Sequence, residues 1–247
     1  MQPNLTRQQI KQRAKAQLKQ PGVWGQMMVA NLLPWLITVV FTLVTILGTV
    51  ALMTKFGVSR MALEPTKFAE YYSQNVDANT PMLKPLVLLW FTQGVAFTAL
   101  DVYRGADRVR PGHAVMRLFN GQYFFGILLV GVLMEVLRMI GLMAFVIPAI
   151  PIVFGTAMSF YVYYDGKHRA ENGRFSAMQA VGHSWQMMRG NKLDYFVLKL
   201  SLLGWTILKA ITWHLFDFMI DPYLQLVDAG FYDNVQQQYA QALAETL

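Results

Sequence analysis

Apolar residues fall in four long runs, at 25–53, 85–100, 123–164 and 195–222, with polar and mostly basic segments between them. A helix that crosses a bilayer needs about 20 such residues. The run 25–53 exceeds that length and reads as a first span, with Asn31 and Pro34 near its start, where a bend is tolerated inside a bundle. The run 85–100 makes a second span once residues 82–84 and Asp101 are drawn in. The run 123–164 is too long for one crossing. Ile147-Pro148-Ala149-Ile150-Pro151 cuts it, because two prolines three apart stop a helix and force an extended or turn segment. Residues 124–146 and 152–164 then form the two arms of a hairpin, and 195–222 makes the last span. The expected fold class is all-α: a polytopic transmembrane helical bundle of about five spans. Its third and fourth spans form a proline-broken hairpin, and amphipathic helices lie on its surface.

The polar segments carry their own periodicity. Thr6-Arg7-Gln8-Gln9 reads as a capping box opening a helix, with Ile10, Ala14 and Leu18 as a thin apolar stripe. That helix either lies on anionic lipid or is a basic tail that only fixes topology. Pro65 and Pro81 bracket a short interfacial helix at 66–74. In 176–188, Ala177, Ala180, Val181, Ser184, Trp185 and Met188 share a face, as in a helix lying on a membrane surface with Trp185 at headgroup level. The chain is expected to be one integral membrane domain: a basic helix at 1–22, a transmembrane region at 23–222 and a tail at 223–247.

Composition agrees with the pattern. Only 14% of the 247 residues are charged and 55% are hydrophobic, with a mean hydropathy of +0.33. A soluble domain carries roughly 25% charged residues. The net charge of +7 does not indicate nucleic acid, because the basic residues lie between apolar runs and not on a separate polar domain. The polar lead-in to Gln20 and the length of the first run do not fit a signal peptide. There is no cysteine, hence no disulfide framework and no thiolate metal site. The N-terminal segment and the segments 101–122 and 165–194 hold 14 of the 21 lysines and arginines; the 54–84 segment holds 4 and the tail none. By the positive-inside rule, five spans then place the N-terminus in the cytoplasm of a cell membrane and the C-terminus outside.

Charges at bilayer depth each need a reason, since one costs at least ~2.5–3.5 kcal/mol on insertion scales. Lys199 lies near the end of its span and can snorkel. On a helical wheel Lys199, Thr206, Lys209, Trp213 and Asp217 share a stripe. Glu135 and Arg138 lie three apart on one face of the third span, at a depth about 5 Å from that of Lys209. Glu135 is therefore expected to pair with Arg138, Lys209 or both, and Glu135, Arg138, Lys209 and Asp217 form a candidate intramembrane seam. That seam is either a relay or lipid-headgroup site, or a static pairing that sets helix register. A second polar set, Asp101, Arg104, Asn191 and Lys192, sits at the inner surface. Asp101, Asp107 and Asp165 imitate an acidic phosphotransfer site, but neighbouring arginines balance them. The four histidines are scattered, with no HExxH, and no P-loop, GxSxG or GxGxxG occurs. No catalytic residue, metal site or cofactor is expected.

Several positions carry a family likeness. They are Ala16-Gln-Leu-Lys19, Leu100-Asp101-Val-Tyr-Arg104-Gly105, Leu118-Phe119, Ile147-Pro148, Ser184, Met188-Arg-Gly190-Asn191-Lys192, Leu200-Ser201, Gly204-Trp205, Pro222-Tyr223, Ala229 and Phe231-Tyr232. In these the chain resembles the domain of unknown function 975 family of bacterial integral membrane proteins over nearly its full length, most specifically from Ser184 to Trp205. The family-like break reads Ile-Pro-Gly-Ile; here Ala149 replaces the glycine and Pro151 is added. The resemblance implies a multi-span bacterial membrane protein and carries over no catalytic residue.

The function expected is that of a non-enzymatic accessory or scaffold in the membrane, binding a partner or lipid. Expected partners are the bilayer, anionic lipid headgroups, and a membrane-protein partner or second copy of the chain; nucleic acid is not among them. The alternatives are a small transporter or permease subunit using the Glu/Lys/Asp seam, and a lipid-headgroup enzyme near Asp101, Arg104 and Asp165.

Overall fold

The structure, a computed structural model, describes residues 5–75, 80–106, 109–143, 146–170 and 174–245; Asp107 lies outside them. Among the described residues the chain is helical throughout, with no strand. The helices are α1 (Arg7–Leu18), α2 (Val23–Phe56), α3 (Val58–Leu63), α4 (Pro65–Asn75), α5 (Thr80–Tyr103), α6 (Pro111–Met116) and α7 (Phe124–Met143). They continue as α8 (Val146–Thr156), α9 (Ser159–Arg169), α10 (Ala177–Met187), α11 (Lys192–Ser201), α12 (Leu203–Ile211) and α13 (Asp217–Glu245). Three helices are long and apolar enough to cross a membrane: Val23–Phe56, Lys84–Tyr103 and Phe124–Met143.

Local chemistry sets the ends of these helices. Thr6 and Gln9 form the capping box of α1, and Ser176 and Gln179 form another at α10. In α2, Pro34 removes one backbone donor, and the hydroxyl of Thr38 donates to the Pro34 carbonyl at 2.9 Å. Thr42, Thr45 and Thr49 likewise donate to carbonyls one turn back, so the apolar half of α2 exposes no unmatched hydroxyl there.

The core gathers where the C-terminal half of α5 meets α13, α6, α9 and the start of α2. Phe97 stacks on Tyr164 (ring centroids 4.6 Å apart) and Tyr161 on Tyr232 (5.1 Å). Close approach of α5 and α13 requires Gly230, where a Cβ would lie 2.5 Å from the Tyr103 ring. α7 and α8 pack against each other, with Gly141 on Ala149 and Ile152, and Gly126 faces Tyr163 farther along the returning chain.

Four expectations are corrected. The Ile147–Pro151 segment is helical, forming the first turns of α8. Pro148 lies in the first turn, where no intrahelical donor is needed, and the chain breaks later, at Ala157–Met158. The run 195–222 is not one span: it bends at Leu202 and turns back at 212–216, where Trp213 (φ 52°) and His214 (φ 62°) adopt left-handed conformations. The tail expected at 223–247 is helical to Glu245: α13 runs unbroken across residue 222 and buries Tyr223, Leu226, Val227, Phe231 and Val235. It also brings Asn234 to Leu5, so the N-terminal helix and the last helix pack together. Finally, the apolar stripes of α1 and α10 face protein: Ile10 and Ala14 are buried in the core, with α1 on α13, and Ala177, Ala180 and Ser184 are buried, with α10 on α7, α8 and α9. The short helix expected at 66–74 is present as α4.

Candidate functional site

The polar residues of this bundle converge on Arg104, which follows the last turn of α5. Its guanidinium forks onto Asp165 of α9, with Nη1 donating to Oδ1 at 2.8 Å and Nη2 to Oδ2 at 2.7 Å. Its Nε donates to Asp233 Oδ1 of α13 at 2.8 Å, and Nη2 also donates to Gln236 Oε1 at 2.8 Å. The Tyr232 hydroxyl adds a bond to Asp165 Oδ2 at 2.8 Å, and Gln237 donates to Asp233 Oδ2 at 2.8 Å. Three segments far apart in sequence are thereby joined through one planar cation, a geometry that lysine cannot reproduce.

The electrostatics follow from this geometry. The side chains of Asp165 and Asp233 are only 9% and 6% exposed. Burial pushes the Asp165 carboxyl up, but the bonds and charge of Arg104, helped by Tyr232 and Arg169, outweigh it and hold the group below its ordinary 3.8. Burial likewise disfavours the Arg104 cation, yet the two carboxylates raise its pKa above the usual arginine value. Burial and the nearby Asp165 carboxylate push the Tyr232 hydroxyl well above 10.0, so it stays a donor.

Around this junction the other buried charges are matched in the same way. Arg117 pairs with Asp101 at 2.9 Å, and Tyr164 donates to the same carboxylate. Lys199 pairs with Asp228 at 2.7 Å. Lys209 pairs with Asp221 at 2.6 Å and Asp217 at 3.3 Å. A cleft of about 410 Å³ opens beside the junction, with Asp165, Arg169, His183 and Tyr232 in its wall among apolar side chains such as Val162 and Met187.

The residues expected to form sites are therefore distributed differently. Glu135 does meet Arg138, at 3.5 Å on the outer face of α7, with both side chains more than half exposed, but neither joins Lys209. Lys209 and Asp217 do pair; the seam is two separate clusters because the chain turns at 212–216 and delivers Asp217 and Asp221 back to Lys209. Asp101 and Arg104 are each neutralised, by different partners. Asn191 caps a carbonyl of α10 (Nδ2 to Met187 O, 3.1 Å), and Lys192 lies 3.5 Å from the centroid of the Trp185 ring. These four do not form one site. The balancing of Asp101 and Asp165 by arginines is as expected. Asp233, Gln236 and Tyr232 were missed. Their signal lies in the spacing of 220–235, where Ile220, Tyr223, Leu226, Val227, Ala229 and Phe231 recur at helical intervals with the acids between them. Among the described residues no group of three or more His, Asp or Glu side chains is placed to hold a metal.

The fold and this junction define an all-helical protein with bilayer-length apolar helices, clasped at one end by an arginine held between two aspartates. Residues 142–239, from the end of α7 to near the end of α13, match the family described as protein of unknown function (DUF975), and the resemblance read from the residues is borne out over that segment. The matched segment supplies Asp165, Tyr232, Asp233 and Gln236 and leaves Arg104 outside. No curated protein and no solved structure matches the chain.

Proposed function

We propose that this protein is a non-enzymatic accessory or scaffold embedded in a cell membrane. The observation that carries the proposal is the engagement of Arg104 by both Asp165 and Asp233. The acids that a phosphotransfer or headgroup-cleaving reaction would use are spent on holding helices together. The transport alternative loses its main support as well, since Lys209 is neutralised within its own hairpin and no continuous seam links it to Glu135. Membrane location rests on the three apolar helices of bilayer length. In this reading the two hairpins add an even number of passes, with 152–164 as one return arm, and the positive-inside rule applied to the 14 basic residues of the segments that gather with α1 supports a cytoplasmic side that holds Leu5 and Asn234.

Asp165→Asn tests the proposal. A structural acid lowers the melting temperature of the detergent-solubilised protein when neutralised. A catalytic or relay acid leaves it unchanged or raises it, because active-site charges are held at a stability cost. An unchanged or raised melting temperature contradicts the scaffold reading.

A further inference from the structure

We propose that the cleft between α1 and the bend joining α11 to α12 binds the phosphate of an anionic phospholipid, an inference that rests on the membrane reading above and gives it a ligand class. The cleft measures about 480 Å³. Lys11 and Lys15, one turn apart on α1, form one wall, and Ser201, Trp205 and Tyr223 form the other. Lys11 Nζ donates to Ser201 Oγ at 3.3 Å, and Lys15 Nζ lies 5.8 Å from the centroid of the Tyr223 ring. Trp205 packs on Tyr223 with centroids 5.7 Å apart.

Charge distinguishes this cleft from the rest of the bundle. Arg104, Arg117, Lys199 and Lys209 each face a carboxylate within 3.0 Å, whereas among the described residues no carboxylate forms an ion pair with Lys11 or Lys15. Ile10 and Ala14, the adjacent positions on the helix, are buried in the core, so the two lysines project from the flank of a docked helix, Lys11 half-buried and Lys15 exposed. The bend at Leu202, which ends α11 and begins α12, sets the Ser201 hydroxyl into the same cleft. The remaining chemistry points to a lipid and not to a soluble phosphate. Leu208, one turn beyond Trp205 on α12, is exposed on the side of the helix that carries Trp205, where an acyl chain would lie. Trp205 has the amphipathic ring that favours the headgroup layer.

The test uses the purified full chain in neutral detergent, titrated with short-chain phosphatidylglycerol, phosphatidylcholine or glycerol phosphate and followed by tryptophan fluorescence and native mass spectrometry. Phosphatidylglycerol should bind at one per chain and phosphatidylcholine far more weakly. Lys11→Gln and Lys15→Gln should each weaken phosphatidylglycerol about fivefold, and Lys11→Arg with Lys15→Arg should retain it. If the double Gln variant fails to fold by circular dichroism, the single variants carry the test. Undiminished affinity in the folded Gln variants overturns the site. Equal affinity for phosphatidylcholine overturns the charge recognition, and equally tight glycerol phosphate makes it a free-phosphate site and overturns the lipid. None of these results touches the membrane reading, which alkaline carbonate extraction tests on its own.

Discussion

The backbone N–H of Leu5 donates to Asn234 Oδ1 at 2.9 Å, across 229 positions of sequence. Two groups in hydrogen-bond contact cannot lie on opposite sides of a hydrocarbon layer about 30 Å thick. Leu5 and the C-terminal half of α13 thus pack together, and the acids of α13 are placed to meet the bases gathered there. Asp233 takes Arg104 and Asp228 takes Lys199. A last helix with no lysine or arginine is thus the acidic counterpart of the basic segments.

Arg104 should be the most sensitive charged position in the protein. Arg104→Gln leaves Asp165 and Asp233 buried without their cation, which costs about 3 kcal/mol, the lower end for a broken buried pair because 30% of the arginine side chain is exposed. Arg104→Lys should not restore this, since an ammonium cannot fork onto Asp165 while bonding Asp233. Thermal melting in detergent checks both. A lysine variant as stable as the native chain would contradict the forked geometry as the source of stability.

Acid should loosen the same junction. Asp165 titrates below its ordinary 3.8, so its contribution to stability is complete above the unfolded value and is lost as pH falls through the folded one. Its contribution to stability should stay level from pH 7 to about 5 and decline below about 4. Asp165→Asn should start less stable and lose that part of the decline. An identical acid profile in the variant would assign the decline to other carboxylates.

The hairpin of α12 and α13 depends on Lys209 and the two acids that the turn returns to it. Lys209→Met alone leaves Asp217 and Asp221 with like charges and only His214, 2.9 Å from Asp217, beside them, a loss of about 3 kcal/mol. Adding Asp217→Asn and Asp221→Asn should recover most of it, because the expense lies in the stranded charges. Chemical denaturation of the three chains in detergent measures the difference. A triple variant less stable than Lys209→Met would show that the ion pairs themselves carry the hairpin.

Much of this architecture is legible in the sequence. The apolar runs mark α2 by length, α5 once its flanking residues are drawn in, and α7 as the first part of a run too long for one crossing; Thr6 and Gln9 announce the start of α1, and the arginines near Asp101 and Asp165 foretell their neutralisation. Two features were hidden. The turn at 212–216 contains neither glycine nor proline, and it places Trp213 and His214 in conformations those residues rarely adopt, so an unbroken apolar run disguised a reversal. Once the reversal was hidden, the acids at Asp221, Asp228 and Asp233 looked like a solvated tail. Only tertiary pairing with Lys209, Lys199 and Arg104 makes them interior residues, and one-dimensional charge counting does not see partners more than 100 positions away, as in Arg104 and Asp233. The stripes of α1 and α10 raised the opposite problem: helical spacing reports that a face is covered, not whether lipid or protein covers it.

The side on which each segment lies tests this account most directly. The chain has no cysteine, so single cysteines at Gln8, Ser73 and Gln241 can be probed with an impermeant maleimide in intact and permeabilised cells. All three positions are exposed, in α1, α4 and α13 respectively. The account predicts that Gln8→Cys and Gln241→Cys behave alike, protected until the membrane is opened, while Ser73→Cys reacts in intact cells. Reaction of Gln241→Cys in intact cells with Gln8→Cys protected would restore an odd number of passes and contradict the returning α13.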